Sequence, residues 1–176
     1  MSRVVWLTGP PASGKSTIAR LVVDGLRRSG RAAAWLESDA LRAVLDRDPD
    51  YSPQGRDRFY RIVADLAALL AGQGIGVVVD ATAPRRAHRE RLRVRVPDML
   101  EVLVDAPLNV REARDPKGLY RRAREGSAPH LPGATEPYEP PALPELVLSG
   151  TVPPEENAAR ILDRLGKGEA SPGREP

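Results

Sequence analysis

Gly9-Pro10-Pro11-Ala12-Ser13-Gly14-Lys15-Ser16-Thr17 satisfies the pattern G-x-x-x-x-G-K-[ST] at every position. The apolar run Val4-Val5-Trp6-Leu7 precedes it and an amphipathic stretch from about Lys15 to Arg28 follows. The spacing predicts strand, tight loop and helix in that order. A polyphosphate requires several backbone N–H groups converging on it, and glycine lets the chain turn tightly enough to supply them. The helix N-terminus adds a partial positive charge. Gly9, Ala12, Ser13, Gly14 and Thr17 are therefore expected to cradle the phosphates of a nucleoside triphosphate. Lys15 is expected to reach the β- and γ-phosphates, and Ser16 to place its hydroxyl on Mg²⁺.

Working outward, short apolar runs alternate with helical patterns, which predicts an α/β protein built on a parallel sheet. The expected fold is the three-layer P-loop NTPase fold, a five-stranded parallel sheet flanked by helices. Its strands are expected at Val4–Leu7, Ala32–Leu36, Ile75–Val79, Leu100–Val104 and Leu146–Leu148. Helices are expected over Ala40–Leu45, Arg56–Ala71, Leu108–Ala113 and Pro154–Leu165, with Pro84 opening another. From Asp115 to Pro144 the chain is first basic and then rich in proline, leaving little room for regular structure. We expect a single kinase domain over 1–165 with a basic lid at about 114–135, then a frayed tail over 166–176.

Composition narrows the chemistry. The 176 residues contain no cysteine and two histidines, which removes disulfide frameworks, thiolate zinc sites and a multi-histidine metal centre. There is no apolar run near twenty residues and no signal-peptide pattern, so the expectation is a cytoplasmic protein without a membrane partner. All but three of its 27 lysines and arginines are arginine, yet 24 acids hold the net charge to +3. The dense cluster Arg85, Arg86, Arg89, Arg91, Arg93 and Arg95 reads mainly as a solvated helix face, so nucleic acid is not the expected partner. A guanine-reading N-K-x-D segment is absent. A short chain with this loop and a basic mobile segment reads as a phosphotransferase, because phosphoryl transfer needs cations around the migrating group and exclusion of water.

Arg114-Asp115-Pro116-Lys117-Gly118-Leu119-Tyr120 strongly resembles the R-D-P-K-G-L-Y segment of adenylylsulfate (APS) kinases. Val104-Asp105-Ala106-Pro107-Leu108, Pro137-Tyr138-Glu139-Pro140-Pro141 and Pro144-Glu145-Leu146 extend the likeness, which runs from about Val4 to Leu165. The resemblance implies phosphorylation of the 3′-hydroxyl of APS by MgATP, giving 3′-phosphoadenylylsulfate (PAPS), by an enzyme that is usually dimeric. It also implies roles. Glu37-Ser38-Asp39-Ala40-Leu41-Arg42 falls on the family's D-G-D-N-x-x-R segment, which makes Glu37 an acid associated with Mg²⁺ and the acceptor hydroxyl. Asp39 becomes a second candidate carboxylate and Arg42 a substrate-phosphate contact. Tyr51 and Arg56 match an aromatic that stacks on the adenine of APS and an arginine that meets its phosphosulfate. Lys117 and Arg114 become lid residues closing over the phosphates.

Three positions depart from the family pattern. Phe59 replaces a substrate-contacting asparagine, Leu131 stands where the second adenine-stacking aromatic is expected, and Ala83 replaces a serine. Val77-Val78-Val79-Asp80-Ala81-Thr82 resembles P-loop kinases related to polynucleotide kinase, making Asp80 a candidate for orienting Mg²⁺-bound water or the acceptor. The leading expectation is therefore a kinase for APS. A kinase for another small hydroxyl-bearing metabolite or nucleotide conjugate, a nucleotide-binding regulatory module without catalysis, and 5′-end phosphorylation of nucleic acid remain alternatives.

Overall fold

The computed structural model describes residues 4–45, 50–127 and 130–167. Among these, five strands form one sheet: β1 (Val4–Thr8), β2 (Ala33–Glu37), β3 (Gly76–Asp80), β4 (Leu100–Asp105) and β5 (Leu146–Ser149). Their order is β2-β3-β1-β4-β5, and every neighbouring pair is parallel. β1 is buried along its whole length, as its unbroken apolar sequence requires of a strand covered on both faces.

Alternation along β1 divides the core between two layers. Val4 and Trp6 join Val63, Ala64 and Ala67 of α3 (Pro53–Gly72) on one face. Val5 and Leu7 join Ile18 and Val22 of α1 (Lys15–Arg28) and Ile161 of the C-terminal helix (Pro154–Lys167) on the other. The fold is thus the expected three-layer α/β arrangement. No helix among the described residues is long and apolar enough to cross a membrane.

The remaining helices are α2 (Ser38–Leu45), α4 (Arg86–Arg95), α5 (Leu108–Arg114) and α6 (Leu119–Arg124); the C-terminal one is α7. Pro84 does not open α4, which starts at Arg86. Instead Ala83 takes a positive φ of 43° and the Pro84 carbonyl accepts a hydrogen bond from Glu139 N at 2.8 Å. The stretch from Asp115 to Pro144, expected to lack regular structure, contains α6. Gly118 enters that helix at φ 63°, and the Asp115 carboxylate accepts from the N–H groups of Leu119 and Arg121. At the C-terminus α7 continues through Lys167, so Gly166 and Lys167, expected in a frayed tail, belong to the helix; residues 168–176 lie outside the described residues.

The arginine cluster is corrected too. Arg89 is 1% exposed and donates to Glu101 at 2.6 Å, to the Ala83 carbonyl and to the Glu139 carbonyl. Arg91 grips Asp57 through both carboxylate oxygens, Arg93 pairs with Glu145 and Glu101, and Arg95 pairs with Asp65. Arg89, Arg91, Arg93 and Arg95 tie α4 to α3, β4 and Glu145, while Arg85, Arg86 and Arg95 stay exposed as expected.

Candidate active site

A cleft of about 990 Å³ opens at the carboxyl ends of the strands, beside β1 where the chain order turns back. This is the crevice that open α/β sheets offer to ligands. The glycine loop forms its floor. Gly9 has φ 149°, and a Cβ there would run into the Val104 carbonyl oxygen, so only glycine lets the loop pass β4 this closely. Gly14 sits at φ 105° as the N-cap of α1. Ala12, Gly14, Lys15, Ser16 and Thr17 line the cleft. Gly9 and Ser13 lie beneath them and shape the loop from below.

The Lys15 ammonium donates to the Pro10 carbonyl at 2.9 Å. Burial lowers its pKa, while Asp80 and then Asp39 pull in the other direction. Asp80 ends β3, is 3% exposed, and keeps its Oδ2 without a hydrogen-bond partner among the described residues. Burial raises its carboxyl pKa against the attraction of Lys15. Glu37 is its register partner on β2 and is raised as well, first by burial and then by the neighbouring Asp80 and Asp39 charges. Asp39 reaches the cleft from α2 and is ion-paired with Lys117 of the lid.

Among the described residues no group of three or more His, Asp or Glu side chains is arranged as a metal cage. Mg²⁺ is commonly held by one or two protein oxygens plus phosphates and water. The Ser16 hydroxyl and the orphaned Asp80 oxygen at the cleft floor are a donor set of that kind. Glu37 does not line the cleft and stands behind Asp80.

The basic segment expected as a lid is anchored at its base. Arg111 donates to the Ala106 carbonyl and the Tyr120 hydroxyl, both at 2.9 Å, and Tyr120 donates to the Pro11 carbonyl of the glycine loop at 3.0 Å. Arg114 donates to the Gly150 carbonyl at 2.8 Å and lines the cleft with Lys117.

At the other end of the cleft stand Arg42, Tyr51, Arg56, His130 and Leu131. An Asx turn in which Ser52 N donates to Asp50 Oδ1, followed by the Ser52 cap on Gly55 N, sets Tyr51 at the mouth, 49% exposed. Arg56 is more strut than free cation. It donates to the Tyr51 carbonyl at 3.0 Å and to the His130 carbonyl, and lies 3.7 Å from Glu136, which in turn bonds the His130 ring. Phe59 is a correction: it does not line the cleft, because its ring is 6% exposed in the core beneath Arg42.

Sequence reasoning passed over Thr82, His130 and the turn Gly150–Pro154, all of which line the cleft. Gly150 follows the last strand directly, and a glycine at the carboxyl end of a parallel strand was the available signal. His130 had no comparable mark.

A glycine loop at the carboxyl end of a central parallel strand, a buried lysine in it and a basic lid folded over it define a P-loop phosphotransferase. Within that class the chain belongs to the adenylylsulphate kinase family, whose model matches residues 1–149. It is 40% identical over 164 residues to the adenylyl-sulfate kinase of Paraburkholderia xenovorans, covering 92% of each chain. It is 41% identical over 143 residues to that of a Synechococcus strain, covering 81% of each. Among solved structures, the APS kinase of Mycobacterium tuberculosis in complex with AMPPNP and APS matches with a TM-score of 0.88 at 38% identity. That match covers 94% of this chain and 98% of the other.

Proposed function

We propose that this protein transfers the γ-phosphoryl group of ATP to the 3′-hydroxyl of APS, giving PAPS and ADP. The observation that carries the reading is a single cleft with two unlike ends. Phosphate-binding backbone lies at one, and a half-exposed tyrosine with two arginines lies at the other. Its volume is near the top of the range of about 300–1,000 Å³ for small-molecule sites, as room for a donor and an acceptor together requires. The mycobacterial relative with both kinds of ligand bound supports the same arrangement.

Ala12 to Thr17 would hold the triphosphate, with Gly9 and Ser13 supporting the turn, and the Gly150–Pro154 turn would wall the nucleoside. Mg²⁺ accompanying ATP would neutralise phosphate charge, held by Ser16 and Asp80. Lys15 exchanges its hydrogen bond to Pro10 for the β- and γ-phosphates. Asp39 takes the proton of the acceptor hydroxyl once Lys117 leaves it for the transferring group, while Arg114 steadies the nucleotide from the lid. Glu37 stands behind Asp80 as its neighbour on β2 and does not meet the substrates. Arg42 and Arg56 frame the phosphosulfate, Tyr51 stacks on the adenine, and Leu131 packs at the edge of that pocket. The domain is taken as 1–165 with the lid at about 114–135, in the cytoplasm and as a homodimer.

A coupled assay of ADP release tests this. APS should raise the rate well above that with ATP and magnesium alone, and Lys15→Ala should cut it by about a hundredfold or more, as loss of a preorganised charge does. An APS-independent rate identical to the APS-dependent one overturns the assignment. A second reading, a different hydroxyl-bearing acceptor, draws on Leu131, an aliphatic wall that offers a purine no stacking face. Turnover with another acceptor and none with APS would establish it.

A further inference from the structure

We infer that Phe59 is a positioning residue, whose ring holds the Arg42 guanidinium in the cleft wall where the acceptor's phosphate arrives. The inference rests on the proposed function and assigns an indirect part in it to a residue that never meets the substrate.

The guanidinium carbon of Arg42 lies 3.7 Å from the centroid of the Phe59 ring and 4.9 Å from that of Tyr51. Tyr60 adds a third ring at 5.9 Å, packed edge-on against Phe59 with centroids 5.2 Å apart. Arg42 is consequently 8% exposed although it lines the cleft. An arginine on an eight-residue helix would ordinarily sample many rotamers in water. Here the Phe59 ring lies closest to its guanidinium, with Tyr51 farther off, and the Tyr60 hydroxyl accepts one hydrogen bond from it. Stacking of that kind leaves the other edge N–H groups available, and those are the groups that meet a phosphate oxygen in a fork. Phe59 carries no polar atom and does not line the cleft, so its effect on the acceptor passes through its neighbours; Arg42 is the one that carries charge into the cleft, and the double variant separates it from Tyr60.

A purely structural role for Phe59 predicts something different. A buried ring that only fills the core would, when truncated, lower stability and the active fraction, with both Michaelis constants unmoved. A ring that positions Arg42 raises KM for APS and leaves KM for ATP alone.

The experiment measures KM for each substrate in the full-length chain for Phe59→Leu, Phe59→Tyr and Phe59→Trp, alongside Arg42→Ala and the double variant Arg42→Ala/Phe59→Leu. Phe59→Leu should raise KM for APS on the order of tenfold, with Phe59→Tyr and Phe59→Trp staying within about threefold of the parent, the scale of a desolvated cation–π contact. In the Arg42→Ala background, Phe59→Leu should change KM for APS no further. Should Phe59→Leu not fold, Phe59→Met is read in its place against the same criteria. An unchanged KM for APS in the leucine or methionine variant, or an equal rise with and without Arg42, overturns the inference and leaves the proposed function standing. A parent enzyme that fails to turn over APS removes both.

Discussion

Burial acts oppositely on two residues a few positions apart. It raises the carboxyl pKa of Asp80 and lowers the imidazole pKa of His88 to about 4. His88 is stacked on Tyr60 with ring centroids 4.5 Å apart, and its Nδ1 accepts from the Arg85 N–H at 3.4 Å. The folded protein therefore favours the neutral ring. With a folded pKa below the unfolded value near 6.5, the stabilisation is complete above pH 6.5 and is lost as pH falls toward 4. Between pH 7 and pH 5 this one group should remove about 2 kcal/mol of stability. Urea unfolding at the two pH values checks it: the difference should shrink by that amount in His88→Gln, and an equal pH dependence in both proteins refutes it.

Among the elements, the turn from β5 into α7 bears most directly on the nucleotide end. Gly150 N donates to the Asp105 carbonyl at 2.6 Å, its own carbonyl accepts from Arg114, and a Cβ would strike the Ser13 carbonyl in the glycine loop. Gly150→Ala should cost about 1–3 kcal/mol, as overpacking does, and weaken ATP binding more than APS binding. Calorimetry with each ligand measures the split. How far elements could be read in advance follows from where their signal resides. β1 and β3 were legible because strands buried on both faces carry unbroken apolar runs, Val4 to Leu7 and Val77 to Val79. The glycine loop was legible because its chemistry needs fixed residue types at fixed spacing. Helix α6 was not, since Leu119-Tyr120-Arg121-Arg122-Ala123-Arg124 buries only Tyr120 and owes its start to Asp115 and Gly118. Nor were the ion pairs of α4, because the partners of Arg89 and Arg93 come from β4 and from Glu145, far along the chain. Phe59 was misplaced for the same reason: its neighbour Arg42 belongs to another helix.

At the scale of the molecule, an exposed ion pair spans the cleft among the described residues, Lys117 of the basic segment with Asp39 of α2. Exposed pairs are weak and yield to salt. Raising ionic strength to about 0.5 M, where the screening length is roughly 4 Å, should speed tryptic cleavage at Arg121, Arg122 and Arg124. ATP with APS should suppress it. Cleavage insensitive to salt would show that the segment is held by its other contacts, Arg111 and Tyr120 at its base, Arg114 on Gly150 and Arg56 on His130.

The sheet order has a further effect during synthesis. Among the described strands β1 is made first, yet its partners β3 and β4 end at residues 80 and 105. At roughly 5–20 residues per second on the ribosome, Val4-Val5-Trp6-Leu7 waits about 4–14 s with both edges unpaired and about 5–20 s until the second is paired. Until then the emerging polypeptide displays a sticky apolar strand, which makes it a natural client for chaperones that bind nascent chains.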